Sequence, residues 1–172
     1  MRTSMRGMNR MVFLILLAGI FLLTCKPPSF IDQYRPLVKT YIDTWNSGDF
    51  SKLEQVVSHK FTFRMSPDFK PAVGIDSLKQ VITYWRTGYP DFHIEIIEEV
   101  YCLGRIAVRW KITATNTGPG NFPPTGKKVH VQGMSLIHVE GGKLIDEWVF
   151  GNNLAWLTQL GYKLIPPTSE GS

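Results

Sequence analysis

The residues best suited to chemistry lie in two consecutive segments, 129–140 and 143–152, in which polar and apolar positions alternate. Among them, His138 and Asp146 could move a proton if both faced a pocket, and we treat them as candidate catalytic residues. A hydrogen-bonded structural histidine is the more common alternative. The candidate ligand-binding residues are the amides, thioether and aromatic rings that would surround the pair: Tyr101, Trp110, Gln132, Met134, Trp148, Phe150 and Asn152.

The link between the two segments decides which of these side chains can meet. A two-residue loop at Gly141-Gly142 would put His138 and Asn152 on opposite faces of a hairpin. A three-residue loop that begins at Glu140, with Gly142 left-handed in a bulge, would put them on the same face. We favour the bulged register. Its mixed polar and aromatic face is then predicted to line a pocket, and it carries His130, Gln132, Met134, Leu136, His138, Leu144, Asp146, Trp148, Phe150 and Asn152.

The opposite face of the same hairpin is predicted to be apolar, with Val131, Ile137, Val139, Ile145 and Val149. Such a patch on the surface of a monomer usually marks an interface. We therefore expect two copies of the chain to pair sheet to sheet as a homodimer. The rings on the first face could serve core packing as well as a ligand, and Asn152 could cap the helix that follows it.

The rest of the chain supplies the elements that would position this hairpin. Apolar residues from Ile31 to Trp45 recur at helical spacing; Pro36 would start or bend this helix, and Gly48 would end it. A short second helix, a strand at 61–65 and a third helix at 76–86 follow. Strands are predicted at 92–101, 105–116, 129–140 and 143–152, and a last helix at 153–160. Short links between the strands indicate an antiparallel meander, so the fold class is α+β, with three N-terminal helices on one face of the sheet.

The N-terminal region has the layout of an export signal. Arg2, Arg6 and Arg10 precede an apolar run at 11–23 that is too short to span a membrane. Leu22-Leu23-Thr24-Cys25 resembles a lipobox, which implies cleavage before Cys25 and acylation of its thiol. The expected organisation is a signal peptide at 1–24, a lipidated tether at 25–33, a domain at 34–164 and a tail at 165–172. The domain would be exported and anchored in the cell membrane or outer membrane; a cleaved, soluble secreted form is the alternative.

Charge and cysteine usage exclude several classes of function. The net charge of +5 includes the three arginines of the signal, and no cluster of basic and aromatic residues suggests nucleic-acid binding. If Cys25 is acylated, Cys102 has no intramolecular partner, so the core must hold the domain together. The four histidines show no metal-ligand spacing, so we expect no metal site.

Five short motifs, spread over residues 34–161, give the chain a family resemblance. They are Trp45-Asn46-Ser47-Gly48-Asp49, Tyr89-Pro90-Asp91, Pro124-Thr125-Gly126-Lys127-Lys128-Val129, Gly142-Lys143-Leu144-Ile145-Asp146-Glu147-Trp148 and Gln159-Leu160-Gly161. In this order they resemble the SnoaL-like polyketide cyclases, within the NTF2-like group that includes ketosteroid isomerases. The resemblance implies a curved antiparallel sheet closed by helices into a cone, an apolar pocket and often a homodimer.

The resemblance also implies a cofactor-independent chemistry, from which this sequence departs. The family's cyclases use an acidic side chain to take a proton beside a carbonyl, and that position falls on Asn152, whose amide cannot exchange a proton. A Thr-His step common in the family reads Thr115-Asn116, whereas His138 matches a histidine of the cyclase site. We therefore expect a lipoprotein that binds a small apolar molecule without the family's chemistry. The alternative is a cyclase or isomerase that uses His138 with Asp146.

Overall fold

The computed structural model describes residues 29–65 and 70–165. The predicted signal peptide and Cys25 lie outside these residues. The elements, in chain order, are α1 (Phe30–Ser47), α2 (Leu53–Val56), β1 (Val57–Arg64), β2 (Ala72–Val73), α3 (Ile75–Gly88), β3 (His93–Cys102), β4 (Arg105–Thr115), β5 (Lys128–Glu140), β6 (Lys143–Gly151) and α4 (Asn153–Leu160). The predicted order is confirmed, with β2 as an addition. Within the described ranges, no helix is long and apolar enough to cross a membrane.

The first helix begins earlier than its proline suggests. Ser29 is its N-cap and forms a capping box with Asp32, so α1 starts at Phe30 and Pro36 lies inside it. Pro36 lies past the first turn, where the amides have no partner, so it removes one intrahelical hydrogen bond, which the capping box at the helix start offsets. Gly48, with φ of 74°, ends the helix as predicted. The face of α1 turned to the core carries Tyr34, Val38, Tyr41, Thr44 and Trp45.

The sheet is curved and unclosed, with the helices on one side. Its strand order is β2-β1-β6-β5-β4-β3. Strands β3 to β6 form the predicted antiparallel meander. The prediction of a wholly antiparallel sheet is wrong in one pair, since β1 runs parallel to β6. A parallel pair needs a long crossover, and α3 together with the first three strands of the meander provides it.

The β5–β6 hairpin differs in detail from the register that we favoured. Gly141 and Gly142 form a two-residue turn, both with positive φ, and Glu140 pairs with Lys143. Two left-handed glycines match the twist of such a turn, so the predicted three-residue loop is wrong. The bulge lies further into β6, between the Val139–Leu144 and His138–Asp146 pairs. His138 and Asp146 are therefore directly opposite each other; the favoured register placed them on one face but did not pair them.

The two faces of this hairpin are exchanged relative to the prediction. The buried side chains, which face the helices, are Val131, Ser135, Ile137, Val139, Leu144 and Glu147. The side chains expected in the pocket, including Gln132, Met134, Leu136 and Phe150, are exposed on the outer face. The assignment of the pocket face and of the exposed dimer patch is therefore wrong. Burial of apolar surface is the main driving force of folding, so the helices cover the aliphatic face and leave the mixed face outside.

Candidate functional site

A cavity lined by aromatic rings lies between the sheet and the helices α1, α3 and α4. This inner chamber has a volume of about 80 Å³, and its rings are Trp45, Phe63, Trp85, Phe92, Trp110 and Trp156, with Tyr41 above them. It adjoins an outer chamber of about 740 Å³ that shares Phe63, Met65, Trp85, Asn153 and Trp156. Most other wall residues of the inner chamber are aliphatic. The site therefore suits a small apolar molecule, with room for a larger part of it outside.

The floor of the inner chamber depends on a glycine opposite a tryptophan. The indole of Trp110 in β4 lies over Gly133 in β5, where an added Cβ would stand 2.3 Å from the ring and 2.4 Å from the carbonyl oxygen of Phe150. Only glycine admits the ring at this distance. Trp110 Nε1 donates a hydrogen bond of 2.9 Å to Ser135 Oγ, which fixes the orientation of the ring.

Among the described residues, one carboxyl group reaches this apolar site. Glu147 of β6 is only 5% exposed and borders the inner chamber. Tyr41 of α1 donates a hydrogen bond of 2.6 Å to Glu147 Oε2, and the side chain of Ser135 bonds to the same carboxyl group. Burial raises the pKa of Glu147, more than these hydrogen bonds lower it, and the neighbouring Asp146 carboxylate adds to the rise. Burial, together with Glu147, raises the pKa of Tyr41 well above its ordinary value.

Glu147 was not among the residues predicted for the site, because a run of carboxylates along strands is typical of a solvated face. A signal was present, since Glu147 alternates with Ile145 and Val149 on the face expected to be aliphatic. A carboxylate whose neighbours on the same strand face are apolar is unusual enough to indicate a functional site. Once the faces are assigned correctly, the only candidates from the sequence that line the inner chamber are Trp110 and Asn152.

Asn152 lies where β6 gives way to α4. Its Oδ1 accepts a hydrogen bond of 2.9 Å from the backbone amide of Ala155, so it is the N-cap of α4. The side chain also borders the inner chamber. Helix capping and ligand binding, the two roles that the sequence left open, are therefore compatible. The cap uses the oxygen of the side-chain amide and leaves its N–H groups available to a ligand.

The predicted catalytic pair does meet, but on the outer face of the sheet. His138 Nδ1 lies 2.6 Å from Asp146 Oδ1, and Arg64 Nη1 lies 2.6 Å from Asp146 Oδ2. The guanidinium of Arg64 also stands 5.0 Å from the centre of the Trp148 ring, which stacks on Phe150. The sheet separates this cluster from the inner chamber, so His138 and Asp146 cannot touch a ligand held there.

The other predicted ligand-binding residues also lie outside the two chambers. Gln132, Met134, Trp148 and Phe150 point away from the helices on the outer face. Tyr101 lies under α1, with the Arg35 guanidinium 5.8 Å from its ring centre, and burial raises its pKa to about 12. Within residues 29–65 and 70–165, no group of three histidine, cysteine or acidic side chains could hold a metal ion.

Solved structures with the same fold come from several bacteria. A proposed polyketide cyclase from Bacillus cereus ATCC 10987 is 23% identical, with a TM-score of 0.64 over 76% of this chain and 81% of that one. A proposed SnoaL-like polyketide cyclase from Jannaschia sp. CCS1 is 19% identical, with a TM-score of 0.72 over 81% of this chain and 100% of that one. AclR, a proposed hydroxylase from Streptomyces galilaeus, is 21% identical, with a TM-score of 0.67 over 81% and 87% of the two chains.

Comparison with protein families gives one assignment. No protein of curated function matches the sequence significantly. Residues 35–160 match the profile of the SnoaL-like polyketide cyclases. This match covers most of the chain and every described strand. The chain therefore belongs to the family of SnoaL-like polyketide cyclases.

Proposed function

We propose that this domain holds a small apolar molecule, one with a ring, in the inner chamber. The observation that carries the proposal is the ring of aromatic side chains around an apolar cavity with one buried carboxyl group. Burial of about 250 Å² of a ligand's apolar surface would contribute about 6 kcal/mol before the costs of association. The outer chamber would hold any further part of the molecule.

The binding function does not depend on the chemistry that the family performs at the position of Asn152. An amide there cannot take a proton, and Asn152 already caps α4. We therefore retain binding without the family's own acid–base step as the preferred function. A cyclase or isomerase that uses His138 with Asp146 is not favoured, because the pair lies across the sheet from the inner chamber. No cofactor is part of the proposal.

An identification of the bound molecule tests this function. The full chain, purified from cells that make it naturally, is extracted with organic solvent, and the extract is analysed by mass spectrometry. We expect a stoichiometric apolar compound in the wild type and its loss when Val149, which lines the inner chamber, is changed to Phe. Recovery of the same compound in equal amount from both proteins would contradict binding in the inner chamber.

We further propose that the domain is exported and anchored to a membrane through Cys25. The support is the order of basic residues, apolar run and Leu22-Leu23-Thr24-Cys25. Four residues separate Cys25 from the first residue of α1. Even when fully extended, they span at most about 14 Å, so the domain would stay beside the bilayer. An apolar ligand could then reach the chamber from the membrane surface.

We also propose that the chain forms a homodimer through the outer face of its sheet. Most of the residues first expected there pack in or against the core, but the outer face exposes a different apolar set: Met134 at 50%, Leu136 at 39% and Phe150 at 56%. A second copy related by a two-fold axis would cover this patch in both protomers at once. The flanking ion pairs Glu98–Arg109 and Glu95–Lys111 supply both signs of charge around it.

A further inference from the structure

We propose that the end of the domain nearest Cys25 inserts into the surface of a lipid bilayer through three exposed apolar side chains, Phe30, Ile31 and Leu103. We call these three residues the apolar tip. The inference rests on the proposed lipid anchor at Cys25 and adds to it a contact surface and an orientation. An anchor on a short tether would by itself keep the domain near the membrane without fixing which face meets the lipids.

The first part of the apolar tip is the first turn of α1. Phe30 and Ile31 are the first two residues of the helix, and they are 40% and 43% exposed. The Phe30 ring stacks on the ring of Tyr34, with 5.9 Å between the ring centres, and Tyr34 is buried. The core therefore supports Phe30 from one side, while its other side stays open to the surroundings.

The second part of the apolar tip is the turn between β3 and β4. Leu103 and Gly104 form this turn, and Leu103 is 77% exposed at a place where polar residues are usual. The backbone amide of Gly104 donates a hydrogen bond of 3.3 Å to the hydroxyl of Tyr34. Because Tyr34 contacts both Phe30 and this turn, the start of α1 and the turn lie together at one end of the domain.

The position of Cys25 indicates what covers the apolar tip. A single exposed apolar side chain is ordinary on a folded protein, but these three share the end of the domain at which the chain leads back to Cys25. The residues from Lys26 to Ser29 separate Cys25 from Phe30 and span at most about 14 Å when fully extended. A lipid on Cys25 would therefore bring the bilayer surface within reach of the apolar tip, and transfer of apolar side chains from water into that surface is favourable.

The charged groups around the apolar tip are compatible with a lipid surface. Arg35 follows one turn later in α1 with a side chain that is 58% exposed, and Arg105 is exposed at the start of β4. Guanidinium groups at these places suit the phosphates of lipid headgroups. The acidic neighbours on α1 and β3 already have partners, since Asp32 belongs to the Ser29 capping box and Glu99 lies 3.2 Å from Arg35.

Fluorescence quenching by lipids tests the proposal. The full chain is produced in bacteria fed a clickable fatty acid, which reports the lipid on Cys25, and is reconstituted into phosphatidylethanolamine–phosphatidylglycerol vesicles that contain spin-labelled lipids. In a Cys102→Ser background, Leu103→Cys provides one thiol for a nitrobenzoxadiazole dye, because an acylated Cys25 cannot react. We expect the dye at position 103 to lose fluorescence and to lie about 5–10 Å into the headgroup region.

Leu164→Cys in the same background is the matched control. Leu164 is 74% exposed, nearly as much as Leu103, but it follows α4, whose Gln159 bonds to the backbone of His130 near the start of β5. The turn that carries Leu103 instead contacts the backbone of Val139 near the end of β5. About 30 Å of strand separates the two places, so a dye at position 164 should keep its fluorescence.

A second substitution tests whether the apolar tip acts as one surface. Ile31→Lys in the dye-labelled Leu103→Cys protein puts a charge beside the dye, and desolvation of that charge opposes insertion. Quenching of the dye should therefore decrease. Leu154→Lys, at a 50% exposed position on α4, should leave the quenching unchanged. Both substitutions are at exposed positions, so the fold should tolerate them.

The outcomes separate failure of the apolar tip from failure of the anchor. Quenching at position 103 and not at 164, reduced by Ile31→Lys, supports the inference. If the fatty acid is present, an unquenched dye at 103 or stronger quenching at 164 overturns insertion of the apolar tip and leaves the anchor at Cys25 intact. Quenching at 103 that Ile31→Lys does not reduce also overturns it. A wild type without fatty acid refutes the anchor, and the inference fails with it.

Discussion

The hydroxyl of Tyr41 donates a hydrogen bond of 2.6 Å to Glu147 Oε2, although the two residues are 106 positions apart in the chain. This bond joins α1 to β6 across the inner chamber, so the same contact positions the helix over the sheet and the carboxyl group beside the cavity. A charged carboxyl group at this buried position lowers the stability of the fold, because it is poorly solvated. The loss of stability should therefore depend on pH in a measurable way.

The stability of the domain should fall with rising pH through the titration of Glu147. Its pKa is raised in the folded state, so its stabilising contribution is complete below the ordinary value of 4.5 and is lost as pH rises through the folded pKa. Glu147→Gln should remove this pH-dependent contribution to the free energy of unfolding. It is about 1.4 kcal/mol for each pH unit between the folded and unfolded pKa values of Glu147. Urea unfolding of both proteins, from below pH 4.5 to neutral pH, measures the difference. If the free energy of unfolding changes with pH in the same way in both proteins, the raised pKa of Glu147 is refuted.

Gly133→Ala should destabilise the fold because its Cβ would enter the space of the Trp110 ring. Overpacking of this kind costs about 1–3 kcal/mol, and relief through movement of the ring would also break its bond to Ser135. Gly151, the cross-strand partner of Gly133, is the matched control, since its Cβ would stand 3.4 Å from the same ring. Denaturant midpoints should drop clearly for Gly133→Ala and by less for Gly151→Ala. Equal losses would show that the ring does not require this glycine.

Cys25→Ser should abolish lipid attachment. The layout of the first 25 residues predicts diacylglyceryl modification of the Cys25 thiol, which serine cannot accept. Cells fed a clickable fatty acid should label the wild type and not the variant. Cys102→Ser is the matched control, because Cys102 is an exposed free thiol at the end of β3 and its loss should leave labelling unchanged. Labelling that persists in Cys25→Ser, or is missing from the wild type, would exclude this anchor.

Phe150→Lys should weaken self-association. The substitution puts a charge into the centre of the outer apolar patch, and desolvation of that charge in an interface costs more than the lost contact. Light scattering at several concentrations should give a dimeric mass for the wild type and a monomeric mass for the variant. Leu103→Lys, at an exposed turn away from the patch, should remain dimeric. A monomeric wild type at high concentration would count decisively against the dimer.

Local sequence signals predicted most of the fold. Gly48, the 153–160 helix and the four long strands were placed within a residue or two, because caps, turns and period-two alternation are properties of neighbouring residues. The parallel β1–β6 pair was missed, since a pairing between distant segments leaves no local trace. Pro36 was predicted to start or bend the first helix; the helix starts earlier, at Phe30, because the Ser29 capping box outweighs the one amide bond that the proline removes.

The site was harder to predict than the fold. The favoured register correctly placed His138 and Asp146 on one face, but which face the helices cover is decided by tertiary packing. A mixed polar and aromatic face looked like a ligand site, whereas the aliphatic face buries more apolar surface and contains Glu147 as its exception. Of the predicted ligand-binding residues, Asn152 and Trp110 line the inner chamber, because they lie at a strand end and on the core face of β4; their contact with a ligand stays a prediction.

Two substitutions that each add an aromatic ring, one inside the inner chamber and one outside it, test whether the chamber is the binding site. Val149→Phe places a ring in the chamber, whereas Met134→Phe adds one on the outer face of the same hairpin. Calorimetric titration with 2-tetralone, an apolar bicyclic ketone, should give saturable binding to the wild type and to Met134→Phe. The affinity of the Val149→Phe variant for 2-tetralone should fall by at least about tenfold, a loss of about 1.4 kcal/mol in binding free energy. Unchanged affinity in a folded Val149→Phe variant, or a loss in Met134→Phe instead, would contradict binding in the inner chamber.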